Sequence, residues 1–254
     1  MRFADKVALV TACASGIGRA TVDIMAREGA VIVGVDNNQE RLDKTVAEII
    51  AAGGKAHGRL CNALDRDAVD ALVASVAGEF GRIDILVNAV GGSTIISRPS
   101  APVEELSLDD WKAILDFNLD GTFLFTHAVV PVMKRQRGGK IVNLSSIAGR
   151  GRSAASSAAY AAAKGGIIAF TKKLSYELGP YGVNINAIAP STTLTERIRP
   201  HWERRSQEDQ ARAIDNTPLR RVAEAVDQAR VICFLASPDA DFVTGVTIDV
   251  TGGA

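Results

Sequence analysis

Apolar positions along the chain alternate between two periods. A short, continuous apolar run falls at residues 6–11 (K-V-A-L-V-T) and a β-branched one at 31–35, and further strands are read at 56–61, 83–87, 140–145 (K-I-V-N-L-S), 183–188 and 246–250. Such runs predict strands covered on both faces, as in a parallel sheet. Between them the spacing becomes helical, predicting helices over 15–28, 39–52, 65–80, a stretch from Ser107 carrying Trp111, Ile114, Leu115 and Asn118, then 121–135, 159–178 and 224–236. Ser107, with Asp110 three residues on, supplies a capping box. The alternation predicts an α/β fold, a doubly wound parallel sheet of about seven strands with helices on both faces.

Two segments break the rhythm. Residues 91–106, with Pro99 and Pro102, exceed the usual two to six residues of a strand-to-helix connection and are expected to border a pocket. Residues 189–221 are Arg-rich and contain Trp202. No linker divides the chain, so residues 1–254 read as one domain in which 189–221 is a substrate-loop segment.

Composition narrows the partners. Hydrophobic content of 47% with 23% charged residues is that of an ordinary soluble protein, and 29 Lys+Arg against 29 Asp+Glu gives no field to attract nucleic acid or an anionic membrane. No apolar run approaches the roughly 18 residues of a membrane span, and the start, M-R-F-A-D-K, lacks the apolar stretch of a signal peptide. A cytoplasmic location is expected. Cys13, Cys61 and Cys233 are far apart and read as reduced structural thiols; neither they nor His57, His127 and His201 have metal-ligand spacing, so no metal is expected.

The chemistry concentrates at residues 146–164. A helix over 159–178 places Tyr160 and Lys164 at i and i+4 on one face. A phenol with a free pKa of about 10 is a poor base at neutral pH, but a nearby ammonium favours the phenolate and makes it usable for proton transfer. The Ser146 hydroxyl is placed to donate to a substrate oxygen as charge develops there. At the other end, the turn Ser15-Gly16-Ile17-Gly18 between first strand and first helix lets backbone N–H groups approach a pyrophosphate. Asp36, eighteen residues after Gly18, closes the second strand, where its carboxylate can accept from both ribose hydroxyls. It would repel a 2′-phosphate, and no basic residue at Ser15 or Asn37 compensates, so NAD is expected over NADP. Together these make the sheet Rossmann-type.

On these residues the chain resembles the short-chain dehydrogenase/reductase family over essentially its whole length, similar to its 3-oxoacyl-[acyl-carrier-protein] reductase-like members. The family's T-G-x-x-x-G-x-G appears as Thr11-Ala12-Cys13-Ala14-Ser15-Gly16-Ile17-Gly18, its N-N-A-G as Asn88-Ala89-Val90-Gly91, its helix asparagine as Asn118, its serine as Ser146, its Y-x-x-x-K as Tyr160 and Lys164, and its P-G turn as Pro190-Ser191. Ala12, Ala89 and Ser191 depart from the pattern, and Ser145 is an alternative to Ser146, whose S-S-I-A-G context matches better. The resemblance implies hydride transfer between nicotinamide and a secondary alcohol or ketone, with Tyr160 as general acid or base, Lys164 lowering its pKa and binding a ribose hydroxyl, Ser146 polarising the carbonyl, and Asn118 holding a water that carries the proton to solvent. It implies cofactor contacts at Ala12, Cys13, Ser15, Gly16, Ile17, Gly18, Asp36, Asn37, Asn62, Ala63, Asn88, Ala89, Val90, Gly91, Pro190, Thr193 and Thr195. It also implies a homotetramer built through the Tyr160 helix and the C-terminal helix and strand.

Substrate selection in such a sheet belongs to segments beyond the carboxyl ends of the strands, here 93–102, 150–157 and 191–217. Beside Ser146 and Tyr160, Arg152 and Trp202 are the candidate substrate contacts. Arg98, Arg150, Arg152, Arg197 and Arg199 suggest an anionic substrate, although the acidic residues of 191–217 favour a solvated helical face. A second class of function stays open, a catalytically silent nucleotide-sensing protein.

Overall fold

The computed structural model describes residues 1–153 and 156–254. Its seven-stranded sheet is parallel, in the order β3-β2-β1-β4-β5-β6-β9. In chain order the elements are β1 (Val7–Thr11), α1 (Gly16–Arg27), β2 (Val31–Asp36), α2 (Gln39–Ala51), β3 (Lys55–Leu60), α3 (Arg66–Phe80), β4 (Ile85–Asn88), α4 (Leu108–Leu115), α5 (Gly121–Gln136), β5 (Gly139–Leu144), α6 (Ala158–Leu178), β6 (Val183–Pro190), β7 (Thr193–Leu194), α7 (Arg199–Glu203), α8 (Gln207–Asp215), β8 (Ala223–Glu224), α9 (Ala225–Leu235) and β9 (Thr247–Val250).

The continuous apolar runs are explained by burial on both faces. Along β1, Ala8 and Val10 join a core with Val22 and Met25 of α1, Leu42 of α2 and Ile232 of α9. Val7 and Leu9 face the opposite core, with Val69 and Val73 of α3 and Phe125, Val129 and Met133 of α5. Successive strand side chains point to opposite faces, so each apolar run serves both cores.

β4 begins at Ile85, two residues after the predicted start, because the last turn of α5 has already taken the backbone of Ile83: Gln136 Oε1 accepts from its N–H at 2.9 Å and Nε2 donates to its carbonyl at 3.0 Å. Of the expected capping box at α4, Ser107 Oγ accepts from Asp110 N–H at 3.0 Å. The reciprocal box forms instead at α9, where the Asp227 carboxylate accepts from Glu224 N–H at 2.9 Å and the Glu224 side chain accepts in return. Residues 189–221 are more ordered in pattern than a loop: β7 pairs in parallel with β8, and α7 and α8 lie between them.

The strand order reverses between β1 and β4, which leaves a crevice outside their carboxyl ends. Thr11 Oγ1 spans it, accepting from Ala89 N–H at 2.9 Å and Val90 N–H at 3.3 Å. Asn88 Nδ2 donates to Thr126 Oγ1 and Asn143 Oδ1, and Asn143 Nδ2 to Thr171 Oγ1, a buried polar ladder that ties β4 and β5 to α5 and α6. That ladder fixes the strand ends on which the site is built.

Candidate active site

Helix α6 presents the central residues. Its N-cap Ser157 accepts from Tyr160 N–H, and Ser157 N–H donates to the Pro99 carbonyl at 2.8 Å, which pins the 91–106 segment against the start of the helix. From that segment Ile96 packs with Ile114, Trp111, Leu115, Ala159 and Ala163 around the Tyr160 ring. Ser146 follows β5. Its Oγ accepts from Ala148 N–H at 3.1 Å and lies near enough to the Tyr160 phenol to pull its pKa down. Ser145 faces the other way: its Oγ donates to the Lys164 carbonyl at 2.7 Å in a buried bond, so the serine next to the phenol is Ser146.

Lys164 is 2% exposed, and its Nζ donates to the Leu144 carbonyl at 2.7 Å, 5.7 Å from the centre of the Tyr160 ring. Burial, with the positive charge of Arg197 as a smaller cause, brings its pKa down to about 7. The Tyr160 phenol is pushed above its ordinary value by burial, against the smaller downward pulls of the Ser146 hydroxyl and Arg197. This corrects the expectation that Lys164 lowers the Tyr160 pKa. Here burial acts on both groups toward their neutral forms.

Asn118 lies on a single π-helical turn, Asp116–Asp120, between α4 and α5, a form frequent at functional sites. Its Nδ2 donates to the Gly92 and Ile114 carbonyls at 3.1 and 2.9 Å, and its Oδ1 accepts from Gly92 N–H at 2.9 Å. Both amide protons are thus engaged, and the side chain clamps the turn after β4. Gly91 sits between Asn118 and Lys164, where a Cβ would lie 2.7 Å from Asn118 Oδ1 and 2.8 Å from Lys164 Nζ. Any side chain at this position would push the tetrad apart.

At the dinucleotide end, α1 starts at Gly16 with no side-chain cap from Ser15 and no acidic residue in its first turn. No local side chain therefore takes its N-terminal amides, the first of which donates instead to Glu196 Oε2 at 2.8 Å, as an anion at a helix N-terminus does. Asp36 closes β2 with Oδ2 accepting from Ala14 N–H and Oδ1 from Asn38 N–H, both at 3.1 Å, so backbone aims its carboxylate at the turn. Ala12 adopts φ 49°, the left-handed region in which the related motif has glycine. Gly18 meets it closely, for a Cβ at Gly18 would lie 2.2 Å from the Ala12 carbonyl oxygen. These features fit a dinucleotide, its pyrophosphate on the α1 amides and its ribose on Asp36.

Other expected contact residues differ in how far their side chains are already engaged within the protein. Cys13 is buried in the core against Gly34, its thiol pushed up to about 12, chiefly by burial. The side chain of Thr193 is occupied, donating to the Ser191 carbonyl and accepting from Gln228 Nε2. Asn37 and Asn62 are exposed, and Asn62 Oδ1 accepts from Leu64 N–H. Trp202 is only 9% exposed, with the Arg205 guanidinium 5.4 Å from its ring centre. Arg152 donates to the Ala254 carbonyl and pairs with Asp249, as does Arg150, tying the turn after β5 to β9. Arg199 pairs with Glu224 at 2.8 Å and Arg98 with Glu105. Ala154 and Ala155 of the 150–157 segment lie outside the described residues. Among the described residues no three His, Cys, Asp or Glu side chains cluster to hold a metal.

A family model described as enoyl-(acyl carrier protein) reductase matches residues 11–254. The chain is 39% identical to the 3-oxoacyl-[acyl-carrier-protein] reductase FabG of Thermotoga maritima, covering 100% of this chain and 99% of the relative. It belongs to the short-chain dehydrogenase/reductase family. Another member, D-threitol dehydrogenase of Mycolicibacterium smegmatis, is also 39% identical, over 99% of this chain and 94% of its own. Among solved structures of the family, a 3-oxoacyl-[acyl-carrier protein] reductase of Brucella melitensis with bound NAD superposes with a TM-score of 0.88 at 35% identity, covering 99% of this chain and 93% of that one.

Sequence reasoning missed residues that act through backbone or through distant chain. Gln228, fully buried on α9, reaches Thr193 and the Val250 carbonyl at 3.3 and 3.0 Å. Asn143 carried a signal, a polar residue inside an apolar strand run.

Two outcomes follow. Replacing Ala12 with glycine relieves a left-handed alanine and should raise unfolding stability in urea by about 0.5–1 kcal/mol. Lys164 has a folded pKa of about 7 against an ordinary value of 10.5. Its burial as an ammonium therefore weighs fully on stability below pH 7 and fades as pH rises toward 10.5. Lys164→Met should raise the melting temperature of the ligand-free protein most at pH 6, with the gain shrinking as pH approaches 10.5, as thermal scans across pH will measure.

Proposed function

We propose that the chain is an NAD(H)-dependent oxidoreductase interconverting a secondary alcohol and a ketone, a single catalytic unit over residues 1–254. The observation that carries this is the placing of the Ser146 hydroxyl beside the Tyr160 phenol, with buried Lys164 one helical turn on, at the crevice that opens onto the N-terminal end of α1, which has no local side-chain cap. When bound, the nicotinamide supplies or accepts the hydride. Tyr160 donates the proton to a ketone oxygen or takes it from an alcohol, and Ser146 donates a hydrogen bond to that same oxygen. Lys164, in its charged form, favours the phenolate that remains. Asn118 holds Gly92, and with it the floor of the crevice, in place. Asp36 accepts from the ribose hydroxyls and repels a 2′-phosphate, which supports NAD over NADP.

The apolar surround of Ile96, Trp111 and Leu115 favours a substrate whose carbon skeleton is apolar next to the reacting carbon. Free, buried cysteines suit a reducing cytoplasm. Among the described residues no helix is long and apolar enough to cross a membrane. Exposed Phe242, Tyr176 and Val246, near β9 and on α6, support self-association of the kind the family resemblance implies, a homotetramer. All four tetrad residues are present and none of the site's features favours the silent sensor.

Purified protein should consume NADH with a panel of ketones, read at the NADH absorbance. Tyr160→Phe should lower kcat by about 100-fold or more, the scale of general acid–base catalysis, with the Kd for NADH little changed. Undiminished turnover in that variant would remove the mechanism. Asp36→Ala should narrow the preference for NADH over NADPH in kcat/KM by about tenfold, the factor for about 1.4 kcal/mol; an unchanged ratio would show that another residue sets the choice.

A further inference from the structure

The turn after β6 crosses the crevice and occupies both ends of it. Glu196 Oε2 accepts from Gly16 N–H at 2.8 Å, reaching across 180 positions of sequence to the first amide of α1. In α2, α3, α4, α6 and α8 the N-cap side chain accepts such a bond locally, from Asn38, Asp65, Ser107, Ser157 and Ser206. In α1 the local cap is missing and the carboxylate of Glu196 takes its place. The neighbouring residue points to the other end. Arg197 Nη2 donates to the Gly91 carbonyl at 3.0 Å, and its guanidinium lies so close to Gly92 that a Cβ there would be 2.6 Å from Nη1. Its charge is felt by both Tyr160 and Lys164.

The segment is held on either side of these two residues. Before them, β7 pairs with β8 and Thr193 is gripped by Gln228. After them, Ile198 and Arg199 N–H groups donate to the Thr195 carbonyl, and Arg199 pairs with Glu224. Thr195 itself packs its methyl group close to Gly16, where a Cβ would lie 3.1 Å from it. Glu196 and Arg197 thus form the apex of an anchored strap, both side chains exposed to solvent on their outer sides.

We propose that Glu196 and Arg197 form a built-in stand-in for the dinucleotide, the carboxylate filling the pyrophosphate place and the guanidinium the nicotinamide side, so that cofactor binds only by displacing them. The inference rests on the reading of this crevice as the dinucleotide site. A carboxylate and a pyrophosphate cannot share the Gly16 amide, and two anions at one helix N-terminus repel. The occupied form lowers apparent affinity by the fraction of molecules in which the strap is seated. Glu196 and Arg197 are in this sense affinity-setting residues, and the strap segment is the part of the chain that must shift when the crevice fills.

The test is equilibrium binding. NADH, ADP and adenosine are titrated into the wild-type protein and into E196Q and Glu196→Ala, followed by NADH fluorescence and, for the other two, by calorimetry. Both variants should bind NADH and ADP about 3- to 10-fold more tightly, because the competing form is depopulated, while adenosine, which has no pyrophosphate, should bind with unchanged Kd. Hydrogen exchange of the 193–199 backbone in the wild type should change on adding ADP and remain unchanged with adenosine. Unaltered or weaker NADH binding in both variants, or equal tightening for adenosine, overturns the strap. A wild-type protein that binds neither NADH nor ADP overturns instead the dinucleotide reading on which it stands.

Discussion

A single lysine ammonium buried without a carboxylate beside it is the constraint from which the site's geometry follows. Lys164 is 2% exposed and its one hydrogen bond is to the Leu144 carbonyl. Placing a cation in such a position costs stability unless something else repays it. Helix α6 holds it there by packing along β5 and β6, with Ser145 closing the back of the same turn through the Lys164 carbonyl. The turn after β4 has to be glycine where it passes Nζ. Asn118 then holds that turn from the opposite side, which in turn needs the π-helical step between α4 and α5 to reach inward. Each of these features makes sense once the ammonium's position is fixed.

The electrostatics of the crevice are coupled through the strap. With Arg197 seated, its charge lowers both the Lys164 and the Tyr160 values. Moving Arg197 out removes a direct stabiliser of the phenolate but removes also one of the two causes that keep Lys164 near neutrality at pH 7. Burial remains the larger cause for both groups.

Much of this was legible in the sequence. The seven predicted strand segments became the seven strands; burial on both faces leaves a strong, local imprint in residues such as 7–11 and 183–190, whereas the edge strand β3, with Lys55 and Leu60 exposed, carries a weaker one. Tyr160 and Lys164 were legible because i and i+4 on a helix is a local relation. What escaped was long-range. Nothing local to Glu196 marks it as the cap of a helix 180 residues away, and the missing cap at Ser15 is an absence. The pKa expectation failed for a related reason: spacing gives proximity, whereas burial is decided by the whole fold, including Ile96 and Trp111 from segments far from Tyr160 in sequence.

The same distinction governs what the arginines do. Their density in 150–152 and 197–199 invites an anionic ligand, but an arginine recognises a carboxylate only with donors that are free to point at it. Arg150 and Arg152 are spent on Asp249 and backbone carbonyls, Arg98 on Glu105 and Arg199 on Glu224. They stitch β9, the 91–106 segment and the strap into place around the crevice. Arg197 alone of these five reaches the crevice, and there it lies against the Gly91 carbonyl. Of the five, any charge preference in the substrate would fall to Arg197, while the walls nearest Tyr160 are apolar.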